Sequence, residues 1–322
     1  MISKELNIDE IKKIKNILKP YIVRTPTILN LNNISKHLNT EIIFKLEFLQ
    51  HGGTFKARGA LNNILNLSKK EKENGVIAFS AGNHAIAVAY ASKIAKVNSK
   101  VIMYNSANKF RLNKTKSYDC DIILSDPKDA FETMTRISKS EGRKIIHPYE
   151  GFKTIQGSAT LGYEIYEDLN EIDNIIISVG GGGLISGVGS IIRQKFPNCK
   201  IIGVEPEGAA SLTTSLEKGF PINSFKINTI ADSLSPPTHL PISFSICQKV
   251  IDQMVLVSDY QMKKAMKFMS INCNLILEPA CVAGIAALQG PLKNQLNNQR
   301  TLVVLCGANI DMNSWITLTN NI

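Results

Sequence analysis

Short runs of apolar, mostly β-branched residues recur along the chain at the length of single strands. Runs without polar alternation are typical of strands buried on both faces of a parallel sheet. The sequence predicts such strands at 75–79, 100–104, 121–124, 174–179, 200–204 and 301–305. Stretches with helical spacing lie between them and predict helices over 83–97, 127–140, 158–168, 184–196 and 259–272. Because strands and helices alternate, the pattern indicates an α/β fold with right-handed crossovers.

The order of the strands suggests two sheets. We expect the strands near residues 76, 101 and 122 to form a small sheet, and the flanking segments to form a larger one. The predicted small domain is 75–148, and the predicted large domain combines 1–74 with 149–322. No low-complexity linker or internal repeat separates independent halves. The active site is expected between the two domains.

Composition narrows the class of protein. The 322 residues are 44% hydrophobic, which is normal for a packed globular chain, and carry a formal net charge of +10. The lysines are spread along the whole chain without an arginine-rich block, so nucleic acid is not the expected partner. No apolar run approaches the roughly 20 residues that span a bilayer. The opening segment is polar rather than a signal peptide, so a cytoplasmic location without membrane contact is expected.

The six cysteines offer no framework of their own. None forms a Cys-x-x-Cys pair, and their wide spacing argues against a zinc site or a set of disulfides. Five of them are expected to pack in the interior. The sixth, Cys306, directly follows the last predicted strand.

A lysine among small residues is the first candidate for chemistry. Lys56 follows a glycine turn and stands where an apolar helix is expected to begin. Partial burial and the positive end of the helix dipole would both lower the pKa of its amine. A less protonated amine is what Schiff-base chemistry needs. The alternative is an ordinary lysine at a helix start, and these residues alone leave it open.

Four consecutive glycines form the second candidate. They follow a predicted buried strand and open a helix, and they are Gly180, Gly181, Gly182 and Gly183. Glycines let the backbone approach an anion closely, and a helix N-terminus offers unpaired N–H groups. The stretch lacks the spacing of a P-loop or of a dinucleotide fingerprint, so a monophosphate fits better. The alternative is a flexible turn without a ligand.

Two further strand ends carry small polar residues. The run Ser80-Ala81-Gly82-Asn83-His84 lies between a predicted strand and a helix, where α/β sheets bind ligands. Asn83 can donate to an oxygen of a bound ring, and Ser80 with the loop amides can hold a carboxylate. The run Cys306-Gly307-Ala308-Asn309 ends the last predicted strand, and Cys306 could face a ring nitrogen or simply pack. An amine, a monophosphate cradle and an asparagine together suggest pyridoxal phosphate (PLP).

With these motifs in this order, the chain resembles the fold-type II PLP enzymes, and within them the threonine/serine dehydratase and serine racemase family. The motifs that carry the resemblance are Val23-Arg24-Thr25-Pro26, Lys45-Leu46-Glu47, Phe55-Lys56-Ala57-Arg58-Gly59-Ala60, Ser80 to His84, Gly180 to Gly183, Glu278-Pro279-Ala280 and Cys306 to Asn309. They cover nearly the whole chain. The resemblance implies a tryptophan synthase β-like fold: two open, twisted, mostly parallel sheets with helices on both faces.

The resemblance also implies roles for these residues. Lys56 would bind PLP covalently and act in catalysis, and Phe55 would lie against the ring. Asn83 would bond the ring hydroxyl, and the four glycines would hold the phosphate. Cys306 would meet the ring nitrogen, which a thiol cannot keep protonated as a carboxylate would. The substrate is expected to bind at Ser80, Ala81, Gly82 and His84.

The implied activity is β-elimination from a hydroxyamino acid, giving a 2-oxo acid and ammonia, and the expected substrate is L-threonine, L-serine or both. Ala81 is the discriminating residue, because serine racemases of the family carry a serine there as the second acid/base. A lyase is therefore favoured, and a serine racemase or a 3-hydroxyaspartate dehydratase is the alternative. A β-replacing synthase or a non-catalytic amino-acid-binding protein is expected less.

Some positions depart from the family pattern. Ser158 and Ser233 stand in segments that lie near the cofactor or substrate in relatives, which leaves the substrate preference open. The resemblance further implies an Mg²⁺ or Ca²⁺ site at Glu205 and the carbonyl of Ala209, although Ser211 replaces its last acidic ligand. A homodimer or homotetramer is expected.

Overall fold

Two sheets and the helices around them make up the computed structural model, which describes residues 6–320 and 322. The strands are β1 Thr27–Ile28, β2 Glu41–Lys45, β3 Val76–Phe79, β4 Ser99–Tyr104, β5 Asp121–Ser125, β6 Lys144–Ile145, β7 Asn174–Ser178, β8 Lys200–Pro206, β9 Gln253–Val257 and β10 Arg300–Val304. The helices are α1 Ile8–Leu18, α2 Asn32–Leu38, α3 Lys56–Leu65, α4 Lys69–Asn74, α5 Asn83–Ala95, α6 Lys109–Lys116, α7 Ala130–Glu141, α8 Phe152–Asp168, α9 Gly183–Lys195, α10 Ser211–Lys218, α11 Pro241–Val250, α12 Asp259–Cys273, α13 Ala283–Gln289 and α14 Met312–Thr319.

The larger sheet has six strands in the order β1-β2-β10-β7-β8-β9. All neighbours run parallel except β1, which pairs antiparallel with β2. Every residue of β7 is buried, because helices cover both faces of the sheet at its centre. The prediction of a mostly parallel α/β fold is therefore confirmed. Three strands of this sheet were not predicted from the sequence: β1 and β9, which form its two edges, and β2, which lies next to β1.

The smaller sheet has four parallel strands in the order β5-β4-β3-β6. All four lie between residues 76 and 145, and the strands of the larger sheet lie on either side in the sequence. The division into a small domain, 75–148, and a large domain, 1–74 with 149–322, remains our proposal, and its residues 1–5 lie outside the described part of the chain. One apolar cluster joins β3 and β4 to α1, α3 and α8.

Glycines bring three central helices into close contact. A Cβ on Gly157 of α8 would lie 2.5 Å from the carbonyl oxygen of Arg58 on α3. A Cβ on Gly187 of α9 would lie 2.5 Å from the carbonyl oxygen of Ile155 on α8. Since a side chain cannot fit at either place, α3, α8 and α9 can pack at this distance only with glycine. Helix α8 begins at Phe152, six residues before the predicted start at 158.

A buried ionic cluster ties α3 to α8 and to the segment after β2. The guanidinium of Arg58 is fully buried and contacts both Glu47, at 2.6 Å from Nε to Oε1, and Glu164, at 2.8 Å from NH1 to Oε1. Its NH1 group also donates to Oγ1 of Thr160 at 3.1 Å. The two carboxylates and the guanidinium are each satisfied by charge-assisted hydrogen bonds, which burial of these groups requires. Arg58 lies two residues after Lys56, so the cluster fixes the start of α3.

A second cation extends this cluster towards the surface. The amine of Lys45, in β2, is fully buried and donates to the carbonyl oxygen of Thr25 at 2.7 Å and to Asp168 at 3.0 Å. It also lies 3.5 Å from the carboxylate of Glu164, which therefore pairs with both Lys45 and Arg58. The arrangement joins β2 to the C-terminal end of α8.

Within the described residues, no helix is both long enough and apolar enough to cross a membrane.

Removal of the Arg58 charge is expected to destabilise the chain strongly. Arg58→Met would leave Glu47 and Glu164 buried without their cation, at a cost of about 3–5 kcal/mol in the free energy of unfolding. Lys93→Met is the matched control, because Lys93 pairs with Asp119 at an exposed site and such pairs contribute about 1 kcal/mol or less. Denaturant unfolding of the full chain measures both. Equal losses in the two variants would contradict the role given to the buried cluster.

Candidate active site

One cavity lies at the carboxyl ends of β7 and β10 and reaches the starts of α3 and α5. Its empty space, including the part open to solvent, is about 460 Å³. The ends of parallel strands leave backbone groups and loop residues free for a ligand, so this edge is where such a fold binds one. The lining residues are Phe55, Lys56, Asn83, Tyr149, Ser178, Val179, Gly180 to Gly183, Leu184, Ile185, Ser233, Leu234, Glu278, Ala280 and Cys306.

Lys56 stands at the first position of α3, as predicted. Its amine donates to the carbonyl oxygen of Pro148 at 2.6 Å and lies 5.0 Å from the centre of the Phe55 ring. Although the residue as a whole is partly exposed, its amine is enclosed by protein atoms. This burial lowers the pKa of Lys56 to about 8, against a smaller opposing effect of nearby Cys306. The amine is therefore poised to exchange a proton near neutral pH.

The glycine loop joins the last residue of β7 to the first turn of α9. Gly182 has a φ of 84°, which favours glycine, and a Cβ there would lie 2.8 Å from Sγ of Cys247. A Cβ on Gly181 would fall 2.1 Å from Cγ of Tyr149, so the tyrosine ring packs directly on the loop. The first N–H groups of α9 have no acceptor within the helix and carry the positive end of its dipole. The loop can accordingly bind an anion such as a phosphate.

Asn83 opens α5 and is held from two sides. Its Nδ2 donates to Oε1 of Glu278 at 2.6 Å and to Oγ of Ser233 at 3.2 Å. Its Oδ1 accepts from Nδ2 of Asn309 at 2.6 Å. These contacts fix the orientation of the amide at the edge of the cavity.

Cys306 follows β10 and is nearly fully buried. The Sγ atom makes a weak 4.0 Å contact with the carbonyl oxygen of Ala280. The carbonyl oxygen of Cys306 accepts from the backbone N–H of Phe55 at 3.2 Å, which ties this strand end to the segment that carries Lys56. Lys56, Phe55, Asn83, the four glycines and Cys306 therefore line one cavity, and their individual roles remain predictions.

The remaining residues of the Ser80 to His84 run lie beside the cavity and not among its lining residues. Ser80 accepts from the N–H of Gly82 at 3.2 Å, and Ala81 lies between them. The ring of His84 points to the carbonyl oxygen of Ile146, at 2.8 Å from Nε2. Burial, followed by the nearby Lys56 charge, lowers the pKa of His84 to about 3.

Two further residues reach the cavity from distant segments and were not predicted as site residues. Glu278 and Tyr149 line it, and burial raises the pKa of Glu278. Arg111 of α6 is buried beside Gly82 and pairs with Glu278 and Asp232. Glu278 was noticed only as part of a motif, and a buried acid is the signal that could have identified it.

Ser158 does not reach the cavity, although the sequence suggested that it would lie close. Its Oγ donates to the carbonyl oxygen of Thr154 at 3.4 Å inside α8, and its Cβ faces Gly187. Of the two departures from the family pattern, only Ser233 lines the cavity.

Glu205 and Ala209, the predicted cation ligands, lie at the N-terminal end of α10. The Glu205 carboxylate accepts from the N–H groups of Leu212 and Thr213, both at 2.8 Å. Its burial raises its pKa to about 7. Among the described residues, no three or more His, Cys, Asp and Glu side chains come together as metal ligands would. The cation site remains a prediction.

Ser211 begins α10 and forms a buried pair with a histidine. Its Oγ lies 2.9 Å from Nε2 of His239. Burial lowers the pKa of His239 to about 4. The imidazole is therefore uncharged at neutral pH, and its Nε2 can accept a hydrogen bond from the Ser211 hydroxyl.

Comparisons with known proteins agree with this geometry. The family described as "Pyridoxal-phosphate dependent enzyme" matches residues 18–307. The chain is 40% identical to a phenylserine dehydratase from Ralstonia pickettii, over 90% of this chain and 89% of that protein. It is 33% identical to an L-threonine ammonia-lyase from Thermotoga maritima, over 96% of this chain and 77% of that protein. The solved structure of maize serine racemase has a TM-score of 0.90 and 29% identity and covers 98% of both chains.

The buried His239 predicts a loss of stability in acid. Its pKa in the folded chain, about 4, lies below the ordinary 6.5, so the unfolded chain binds the proton first as the pH falls. Protonation of His239 leaves the free energy of unfolding unchanged above pH 6.5 and lowers it by about 3 kcal/mol as the pH falls to 4. His239→Gln cannot titrate and is the reference. Urea unfolding of both chains between pH 7 and 4 should show that the free energy of unfolding falls further in the parent than in His239→Gln. Equal falls in the two chains would refute the assignment.

Proposed function

The chain belongs to the pyridoxal-phosphate dependent enzyme family, and we propose that it removes water from a β-hydroxy amino acid by β-elimination, releasing a 2-oxo acid and ammonia. The observation that carries the proposal is that the buried amine of Lys56 and the glycine loop line the same cavity. Relatives named dehydratase and ammonia-lyase place the chain among lyases.

The residues present fit PLP. The four glycines carry no side chains of their own, so the backbone N–H groups at the start of α9 would be available to a phosphate beside the Tyr149 ring. Ser178, at the same loop, has a buried Oγ without a hydrogen-bond partner among the described residues, as a donor to a ligand would. Lys56 would hold the cofactor covalently, Phe55 would lie against its ring, and Asn83 and Cys306 would bond its edge. When bound, PLP supplies an electron sink for the charge left at Cα.

The chain's own residues account for the proton movement. With its pKa near 8, the Lys56 amine can take the proton from Cα of the substrate and later return one. The thiol of Cys306 cannot hold a proton on a ring nitrogen as a carboxylate would, so it favours rapid loss of the β-hydroxyl over a long-lived carbanion. Ser80, Ala81, Gly82 and the amides at the start of α5 would receive the substrate carboxylate, with His84 behind them as a neutral support.

The substrate is proposed at the level of a class. L-Threonine and L-serine are the first candidates, and the R. pickettii relative adds phenylserine, whose aryl group the ring of Tyr149 and the side chain of Leu234 could contact. A 3-hydroxyaspartate is the less favoured alternative, because Arg111 is already paired with Asp232 and Glu278. We further propose a cytoplasmic homodimer or homotetramer.

Turnover of β-hydroxy amino acids tests the proposed elimination. Purified, PLP-loaded protein should release a 2-oxo acid from at least one of L-threonine, L-serine, phenylserine and the 3-hydroxyaspartates, measured by coupled reduction of the oxo acid. Lys56→Ala should lose about 10³-fold or more of this rate, because the amine both binds the cofactor and moves the proton. Absence of oxo acid from every substrate, with cofactor bound, would rule out the elimination.

Serine racemisation is the second candidate function, and Ala81 is the residue that separates the two. A serine at this position in racemases supplies a proton from the side of the ring opposite the lysine, and alanine has no proton to give. Ala81→Ser should therefore raise the ratio of D-serine to pyruvate formed from L-serine by about 10-fold or more, a threshold set below the roughly 10²- to 10⁴-fold that a fully positioned acid/base group contributes. Ala81→Gly, which adds no hydroxyl, is the control. Chiral chromatography measures both products, and an unchanged ratio would remove Ala81 as the determinant.

A further inference from the structure

A four-residue segment at the crossing from the smaller to the larger sheet contacts the Lys56 amine, the glycine loop and the start of α11. It follows β6 and precedes α8, and consists of His147, Pro148, Tyr149 and Glu150. Pro148 accepts from the Lys56 amine at 2.6 Å, and Tyr149 packs on the glycine loop. The carboxylate of Glu150 caps α11, accepting from the N–H of Ile242 at 2.8 Å. The conformation of this segment therefore decides where the lysine amine is held.

His147 closes the turn that sets this conformation. Its Nδ1 accepts from the backbone N–H of Glu150 at 3.0 Å and lies 3.4 Å from that of Tyr149. Acceptance from residues two and three further along is the pattern by which Asn and Asp close turns. The carbonyl of Pro148 lies inside this turn, so the ring of His147 fixes the direction in which that carbonyl points.

The imidazole can serve as this acceptor only when it is neutral. Its burial, together with the nearby Lys56 charge, lowers the pKa of His147 to about 4, so Nδ1 keeps its lone pair throughout the neutral range. Besides His147, the titratable groups that influence the Lys56 amine are His84 and Cys306. Nε2 of His84 lies 2.8 Å from the carbonyl oxygen of Ile146, the residue directly before the turn, and His147 is one of the groups that lower the pKa of His84.

We propose that His147 is a positioning residue: it closes the 147–150 turn and thereby aims the Pro148 carbonyl that holds the Lys56 amine. The inference rests on the proposed function only in that the held amine is the one that moves the substrate proton. Loss of the turn frees the amine from its acceptor and loosens the wall that excludes water from it.

The variants separate the acceptor from the ring. His147→Asn retains an acceptor at the same distance from the backbone and can close the turn, whereas His147→Leu cannot. His37→Leu is the matched control, because His37 is exposed on α2, its Nδ1 contacts Asn33 of the same helix, and leucine can retain the apolar contact of its ring with Phe268. His147→Ala replaces His147→Leu if thermal unfolding shows that the leucine variant does not fold.

The first readout is independent of turnover. Full-length protein freed of PLP is carbamylated with cyanate over a range of pH, and mass spectrometry follows the modification of Lys56. The parent, His147→Asn and His37→Leu should show the amine deprotonating with a midpoint near 8. In His147→Leu the midpoint should move towards the ordinary lysine value of 10.5, because water reaches the amine.

The second readout is the split between kcat and KM on the best substrate. His147→Leu should lower kcat by about 10- to 100-fold with KM changed by less than about threefold, because the misplaced group is the base and not a substrate ligand. His147→Asn should retain kcat within about threefold. An unchanged Lys56 midpoint in His147→Leu, or equal losses in the Asn and Leu variants, would overturn the inference. A shifted midpoint in a chain that turns over no substrate would uphold it while contradicting the proposed elimination.

Discussion

The burial of the Arg58 guanidinium is the constraint on which the site depends. A buried charge is tolerated only when carboxylates surround it, and here they come from Glu47, after β2, and Glu164, in α8. Satisfying Arg58 therefore fixes three segments against each other. Glycine contacts between α3, α8 and α9 add a steric limit to the same packing. Since α3 begins at Lys56 and α9 begins at the glycine loop, the distance between the amine and the glycine loop follows from these two constraints.

The environment of Lys56 then decides its chemistry. The same burial that lowers the pKa of this amine also lowers those of His84 and His147, so the region around it contains neutral imidazoles. Neutral rings can accept hydrogen bonds and support the backbone without adding positive charge. The amine can then act as a base near neutral pH, which elimination from an amino acid requires.

The opposite edge of the cavity is built from a different kind of contact. Asn83 is fixed by Glu278 and Asn309, and Glu278 is partly balanced by Arg111 of the smaller sheet's helices. These contacts cross from one sheet to the other, so the alignment of the two parts and the orientation of Asn83 depend on each other. Cys306 lines the same cavity just after β10, and its backbone carbonyl joins this strand end to Phe55.

The central strands, the start of α3 and the motif residues that line the cavity could all be predicted from local sequence patterns. Apolar runs and strand-end glycines are local signals, because a strand buried on both faces must be apolar along its whole length. Edge strands such as β1 and β9 carry a weaker pattern, and the sequence did not reveal them. Tertiary contacts set three further features: Glu164 neutralises Arg58, Tyr149 packs on the glycine loop, and His84 contacts the carbonyl oxygen of Ile146. Those outcomes join residues about 30 to more than 100 positions apart or depend on a rotamer, and no local pattern encodes either.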